Sequence, residues 1–169
     1  MNDSTLSTTD AMHLLAAQGW LELGDWESAL EELEEMEPKS ATHPDVLRLS
    51  VEAYVAGELW DEVIEVAGTL AHELPKDSIG HVHLAAALHT LGRTKDAWTT
   101  LLRVADRFPD QWTIPYNLAR YAAQLGDMVA ARDLLAQAFR LGDAKALKLQ
   151  SLDEPDLDSL WVTNYEDRN

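Results

Sequence analysis

The sequence predicts an all-α fold, a solenoid of four helical hairpins followed by a C-terminal capping helix. Three observations lead to this prediction. Small residues recur every 34 positions along the 169-residue chain. Apolar residues within each interval follow the spacing of amphipathic helices. A turn sequence divides each interval into two helices. Because one such hairpin cannot bury its apolar face alone, stacked copies are needed to form a core.

The 34-residue period is clearest at two small-residue positions that lie twelve residues apart. The first helices carry Ala17, Val51, Ala85 and Ala119. The second helices carry Ala29, Val63, Ala97 and Ala131. The four predicted repeats span 10–43, 44–77, 78–111 and 112–143. Small residues on facing helices let two backbones approach closely, since the interaxial distance depends on the side chains between them.

Turn residues predict where the helices of each hairpin begin and end. Residues expected to end the first helices, where a positive φ is favoured, are Gly24, Gly57, Gly92 and Gly126. Asp25, Thr94 and Asp127 are predicted N-caps of second helices, whereas the second hairpin lacks a comparable cap. Pro75 and Pro109 are predicted to end second helices. Tyr54 is expected to fill the gap to the next hairpin.

The chain beyond the repeats is predicted to cap the stack. The stretch AKALKLQSL favours one more amphipathic helix, and DEPDLDSLW a short acidic one. We interpret 144–161 as a capping segment, and 1–9 and 162–169 as flexible ends. In the alternative, Leu157, Leu160 and Trp161 form a motif that binds another protein.

This pattern resembles that of the tetratricopeptide repeat (TPR) family. The family places a bulky residue, a small residue, a Gly-Asp-aromatic turn, an alanine and a proline within 34 residues, and the turn reads GDW at 24–26. Leu88 and Ala122 replace the usual tyrosine, and Val63 replaces alanine. The resemblance covers 10–143. It implies a right-handed α-α superhelix whose first helices line a concave groove for a partner's peptide.

The resemblance also implies which residues line the groove. The predicted peptide-binding residues are Arg48, Glu52, Val82, His89, Tyr116, Asn117, Arg120 and Gln124. The groove positions of the first two repeats further include Leu14, Gln18, Leu21, Glu22, Asp45 and Val55. Tyr116 and Arg120 lie four residues apart on one helix face, and an aromatic with an arginine is a common peptide anchor. In the alternative, Arg120 pairs with an acid and Tyr116 packs between repeats.

The charge distribution argues against several classes of partner. The formal net charge is −17, which repels nucleic acids and anionic membranes. Residues 1–43 hold 10 acidic residues and one basic residue, whereas 78–152 hold nine basic and six acidic residues. No apolar stretch approaches the ~20 residues of a membrane span. The N-terminal sequence has no signal-peptide features, so a cytoplasmic location is expected.

The sequence offers no catalytic or metal-binding motif. His81 and His83 are two residues apart on a predicted helix and so point about 200° apart. We find no HExxH motif, phosphate loop or cofactor fingerprint. We therefore expect no cofactor, no metal and no enzymatic activity, and predict a non-catalytic protein-interaction module. The alternatives are a secretion-type chaperone that holds an effector's apolar segment, and a self-associating scaffold or homodimer.

Overall fold

The computed structural model describes residues 5–162, and within them all regular secondary structure is helical. This confirms the prediction of an all-α fold. The α-helices are α1 (Thr8–Glu22), α2 (Trp26–Glu34), α3 (Pro44–Ala56), α4 (Trp60–Glu73), α5 (Ile79–Thr90), α6 (Thr94–Leu102), α7 (Thr113–Gln124), α8 (Met128–Leu141), α9 (Ala144–Leu152) and α10 (Asp158–Val162). Short 3-10 helices span Pro38–Ser40, Ala105–Arg107 and Pro155–Leu157. Residues 1–4 and 163–169, which make up most of the predicted flexible ends, lie outside the described residues.

The described chain divides into two compact units, residues 5–87 (unit 1) and residues 88–162 (unit 2). Unit 1 contains α1 to α4 and most of α5, and unit 2 contains α6 to α10. Thr8 and Thr9, which were expected to belong to a flexible end, are the first residues of α1. The reason is the cap: the Ser7 hydroxyl accepts a hydrogen bond of 3.1 Å from the Asp10 N–H.

All four hairpin turns have the same backbone geometry, spaced by 34 residues. A positive φ occurs at Gly24 (81°), Glu58 (55°), Gly92 (76°) and Gly126 (86°). The next residue's N–H closes each turn on a carbonyl five residues back, at 2.8–2.9 Å: Asp25 to Trp20, Leu59 to Tyr54, Arg93 to Leu88 and Asp127 to Ala122. This is the Schellman motif, in which a left-handed residue ends a helix and satisfies its last carbonyls.

The second turn differs from the prediction by one residue. Gly57 has a φ of −84° and is the C-cap of α3, while Glu58 takes the left-handed conformation. Gly57 has another role, because a Cβ there would lie 2.8 Å from the Trp26 ring. The glycine at 57 is therefore explained by close approach of an aromatic ring.

The predicted caps of the second helices are partly confirmed. Asp25 accepts a hydrogen bond from the Ser28 N–H, and Asp127 accepts one from the Ala130 N–H, each at 3.0 Å. The predicted cap at Thr94 is wrong, because Thr94 is the first residue of α6 and Arg93 precedes it without a side-chain cap bond. The 34-residue register puts Arg93 at the position of Asp25.

Fully buried small residues form the centre of each unit. In unit 1, one core cluster contains Ala17, Ala29, Leu49 and Ala53, and a second contains Leu47, Val51, Val63, Ala67, Leu70 and Ala87. In unit 2, Ala119 and Ala131 are likewise inaccessible to solvent. Ala85 and Ala97, the corresponding residues of the third repeat, are also inaccessible. These side chains allow the close helix packing that the hairpins need.

The segment after the fourth repeat packs on α7 and α8 within unit 2. Leu147, Leu157 and Leu160 are buried in the same cluster as Ala119 and Ala131. Trp161 packs against that cluster, and its Nε1–H donates a hydrogen bond of 2.9 Å to the Ser151 carbonyl. The three residues considered as a motif for another protein are thus used inside the unit.

Candidate functional site

Groove residues of the first two repeats lie together in unit 1. Two turns of α1 and α3 line an open depression of about 360 Å³, formed by Leu14, Gln18, Asp45, Arg48, Leu49 and Glu52. The spacing explains the grouping, because residues three, four and seven apart share one face of a helix. Leu14 and Leu49 supply apolar contacts, and the other four residues are polar. We call this surface the α1–α3 depression.

Arg48 is held in place by two aspartates of unit 1. Its Nη2 lies 2.8 Å from Asp77 Oδ2, and its Nη1 lies 3.2 Å from Asp45 Oδ1. Asp77 also accepts a hydrogen bond of 3.0 Å from the Ile79 N–H at the start of α5. Burial acts to raise the pKa of Asp77, but the hydrogen bonds from Ile79 and Arg48 hold it below its usual value. The charge of Arg48 is therefore already balanced within the protein.

In unit 2, predicted groove residues converge on one carboxylate of the C-terminal segment. Asp156 Oδ2 lies 2.8 Å from Arg120 Nη2, 3.0 Å from Arg120 Nε and 2.9 Å from His89 Nε2. Gln124 Nε2 lies 3.5 Å from the Asp156 backbone carbonyl. Glu154 adds a second carboxylate 3.1 Å from Arg120 Nε. We call His89, Arg120, Gln124 and the two acids the Asp156 cluster.

Neighbouring polar groups orient Arg120 and His89, the two side chains that donate to Asp156. An ionised carboxylate only accepts hydrogen bonds, so His89 carries its proton on Nε2. Thr94 Oγ1 lies 3.0 Å from the other ring nitrogen of His89. Arg120 Nη1 donates to Asn117 Oδ1 at 3.2 Å, and Asn117 in turn donates to the Thr113 carbonyl at 2.8 Å. The cluster is thus braced from α7 and from the start of α6.

Tyr116, the predicted aromatic anchor, lies in the core of unit 2 and not on an open face. Only 2% of its surface is exposed, and its ring packs edge-on against Trp112 with centroids 6.0 Å apart. Burial, with the negative charge of Glu154 nearby, raises the pKa of Tyr116 to about 12. For Tyr116 and Arg120 the structure has the alternative arrangement, with a packed tyrosine and an arginine paired to acids.

The other predicted residues divide between the two surfaces. Arg48 and Glu52 line the α1–α3 depression, whereas Asn117, Arg120, Gln124 and His89 form or brace the Asp156 cluster. Val82, on α5 in unit 1, is half-buried and belongs to neither. Sequence reasoning missed Glu154 and Asp156. In the sequence, the signal for these two residues was the contrast between the acidic segment from Asp153 onward and the more basic chain before it.

Among residues 5–162, no group of three or more histidines and acids is arranged to hold a metal ion. No helix in this range is both long and apolar enough to cross a membrane.

Comparison with known proteins finds similarity at the level of structure. No family model and no curated protein sequence matches the chain. The thermophilic TPR protein TTC0263 from Thermus thermophilus is 19% identical, with a TM-score of 0.72 over 92% of this chain and 83% of that one. MamA, residues 41 to the end, from Desulfovibrio magneticus RS-1 is 16% identical, with a TM-score of 0.72 over 92% and 91%. The chain therefore has the fold of TPR proteins, which confirms the resemblance at the level of fold.

Proposed function

We propose that this protein is a non-catalytic interaction module that binds an extended peptide segment of a partner protein on its first helices. The observation that carries the proposal is the Asp156 cluster. There, side chains of α5 and α7 hold the short acidic 3-10 segment Pro155–Leu157 through a carboxylate and a backbone carbonyl. A partner's peptide can be bound through the same two kinds of contact, a charge-assisted hydrogen bond to a side chain and a hydrogen bond to the main chain.

The α1–α3 depression is the surface on which we expect the partner. In unit 2 the groove residues are occupied by Asp156, whereas the depression in unit 1 is open. The depression and the Asp156 cluster use the same face of the first helices. Arg120 lies 68 residues, or two repeats, after Glu52 and so occupies the same repeat position. An acid at this position favours the opposite charge in the ligand.

The lining of the depression indicates the chemistry of that ligand. Arg48 is neutralised by its own aspartates, while Glu52 is exposed. Leu14 and Leu49 offer an apolar surface beside it. We therefore expect a segment in which a lysine or arginine lies next to an aliphatic or aromatic residue. Four of the six residues that line the depression are polar. This lining favours such a peptide over the long apolar segment that a secretion-type chaperone would hold.

A selection from a random-peptide display library on the immobilised full-length chain tests the proposal. We expect selected peptides to be enriched in lysine or arginine beside apolar residues. Glu52→Arg should weaken the binding of these peptides at least about tenfold, because the new arginine repels the positive charge of the peptide. Glu62→Arg is the matched control: Glu62 is also exposed, lies on α4 and does not line the depression.

Two results would count against the proposal. One is a selection without basic enrichment. The other is equal binding of the selected peptides by wild type and Glu52→Arg when both variants retain the wild-type circular dichroism spectrum.

A further inference from the structure

The outer face of α1 is apolar and exposed. Met12, Leu15 and Leu23 are 69%, 70% and 78% exposed. With Gly19 they follow one stripe of the helix, at spacings of three, seven and eleven residues from Met12. A terminal repeat of a stacked array normally has a polar outer face, because solvent covers it. This stripe departs from that rule.

The 34-residue register shows what covers this stripe in the other repeats. The positions equivalent to Gly19 are Ala53, Ala87 and Tyr121, and all three are inaccessible to solvent. In unit 1, Leu49 and Ala53 of α3, which correspond to Leu15 and Gly19, share a core cluster with Leu30 and Leu33 of α2. The cover is therefore a helix that contributes two leucines three residues apart. Among the described residues no helix precedes α1 to supply it.

Helix α9 has the matching surface at the other end of the described chain. Leu149 and Leu152 are 58% and 48% exposed and, like Leu30 and Leu33, lie three residues apart. Lys145 and Lys148 are also exposed on α9; Lys145 lies about 160° around the helix from the buried Leu147, and Lys148 about 100° from it. The exposed side of α9 is thus an apolar strip flanked by positive charge.

The charges of the two faces are complementary. The exposed acids of α1 and α2 are Glu22, Glu27, Glu31 and Glu34, and neither helix holds a lysine or an arginine. Glu22 lies exposed near the end of the α1 stripe. Two lysines on α9 would meet this negative surface, whereas two α1 faces brought together would repel one another.

We propose that α1 of one copy docks on α9 of a second copy, so that chains associate head to tail. The contact joins two different surfaces, so each added chain presents a free α1 face and a free α9 face, and association is open-ended. A contact formed by two short helix faces is small, which places it in the weak, micromolar to millimolar class. The proposal is independent of the α1–α3 depression.

Sedimentation of the full-length chain tests this directly. We expect the mean mass of wild type to rise from the 18.8 kDa monomer to beyond a dimer as the concentration reaches roughly 0.5 mM, near the expected dissociation constant. Leu15→Glu and Leu149→Glu should each remain monomeric, because each removes one of the two faces. Added NaCl should weaken the association of wild type.

Mixing the two variants distinguishes head-to-tail contact from any symmetric pairing. Leu15→Glu retains the α9 face and Leu149→Glu retains the α1 face, so their mixture should form dimers and stop there. Val129→Glu is the control, since Val129 is 71% exposed on α8 and lies on neither face; this variant should associate like wild type. A wild type that stays monomeric, single variants that still associate, or a mixture that fails to dimerise would each overturn the proposal.

Discussion

Glu58 is the residue at which the chain departs most clearly from its own repeat. The equivalent position is glycine in the other three turns, and all four residues have a positive φ. A side chain with a Cβ costs roughly 1–2 kcal/mol in the left-handed region, because the Cβ approaches the following carbonyl. Glu58 is exposed, so no packing offsets this cost. The backbone bonds of the turn, from Glu58 and Leu59 to carbonyls of α3, hold it there.

Glu58→Gly is therefore expected to stabilise the protein. Glycine relieves the left-handed strain but gains entropy in the unfolded chain, so the net gain is about 0.5–1 kcal/mol in the free energy of unfolding. Urea denaturation followed by circular dichroism measures it. Glu58→Ala is the matched control: it removes the same charge and keeps the Cβ, so it should give no comparable gain. Equal stabilisation by both would mean that charge, and not φ, is responsible.

Asp10 is a buried carboxylate that joins the start of α1 to the 3-10 helix after α2. Its two oxygens accept hydrogen bonds from the Ser40 hydroxyl at 2.6 Å and from the Glu37 N–H at 3.1 Å. The Ser40 bond, then the Glu37 bond, lowers the pKa of Asp10 below its usual value. Both contacts favour the ionised form.

The stability that Asp10 contributes should depend on pH. Because its folded-state pKa is depressed, the contribution is complete above the unfolded value of about 3.9 and is lost as the pH falls through the folded value. Asp10→Asn should therefore be less stable than wild type at pH 7, with a difference that narrows towards pH 3. Urea unfolding of both proteins across this range measures it, with the exposed Asp61→Asn as control. A constant difference would contradict the assignment.

At the scale of elements, the C-terminal segment is part of the unit 2 core. Leu157 is completely buried among α7 and α8 residues. Leu157→Ala should lower the free energy of unfolding by about 2–5 kcal/mol, because it removes apolar contacts and leaves a cavity. Val129→Ala, on an exposed site of α8, should change it by less than about 0.5 kcal/mol. Similar small losses in both variants would show that the segment does not complete the core.

The helical pairs were predictable because their signal repeats. A fixed 34-residue offset located the buried Ala17, Ala29 and Ala131 from composition and spacing alone. The same reasoning failed at the second turn, where the residue type favoured the wrong position. Gly57 was predicted to take the positive φ, but the 34-residue register and the backbone place the positive φ at Glu58.

The occupant of the α7 face was not predictable from the period. Asp156 lies 67 residues from His89 and 36 from Arg120, in a segment outside the repeats, so no spacing rule connects them. The groove positions implied by the family resemblance include five of the six residues that line the α1–α3 depression, all but Leu49. The segment that packs on a helix face is determined by contacts between residues far apart in the sequence, which local spacing patterns do not reveal.

At the scale of the molecule, charge is the dominant imbalance. The chain carries 30 acidic and 13 basic residues, a net charge of −17, and such an excess disfavours the compact state through self-repulsion. Opposing this are partly buried ion pairs, such as Arg120 with Asp156 and Arg48 with Asp77. At 0.1 M salt, interactions between exposed charges more than about 10 Å apart are largely screened, whereas partly buried ion pairs are screened much less.

Added NaCl should therefore stabilise the folded chain. Between about 20 mM and about 500 mM NaCl, the repulsion among exposed acids is screened more than the ion pairs are, so the free energy of unfolding should rise by on the order of 1 kcal/mol. Urea unfolding at low protein concentration measures this without interference from association. Glu35→Lys, at the exposed end of α2, makes the net charge less negative and should therefore reduce the stabilisation that added salt produces. If salt instead lowered the stability, the specific ion pairs would outweigh the general repulsion, and Arg120 and Arg48 would be the first residues to examine, because their bonds to aspartate join segments far apart in sequence.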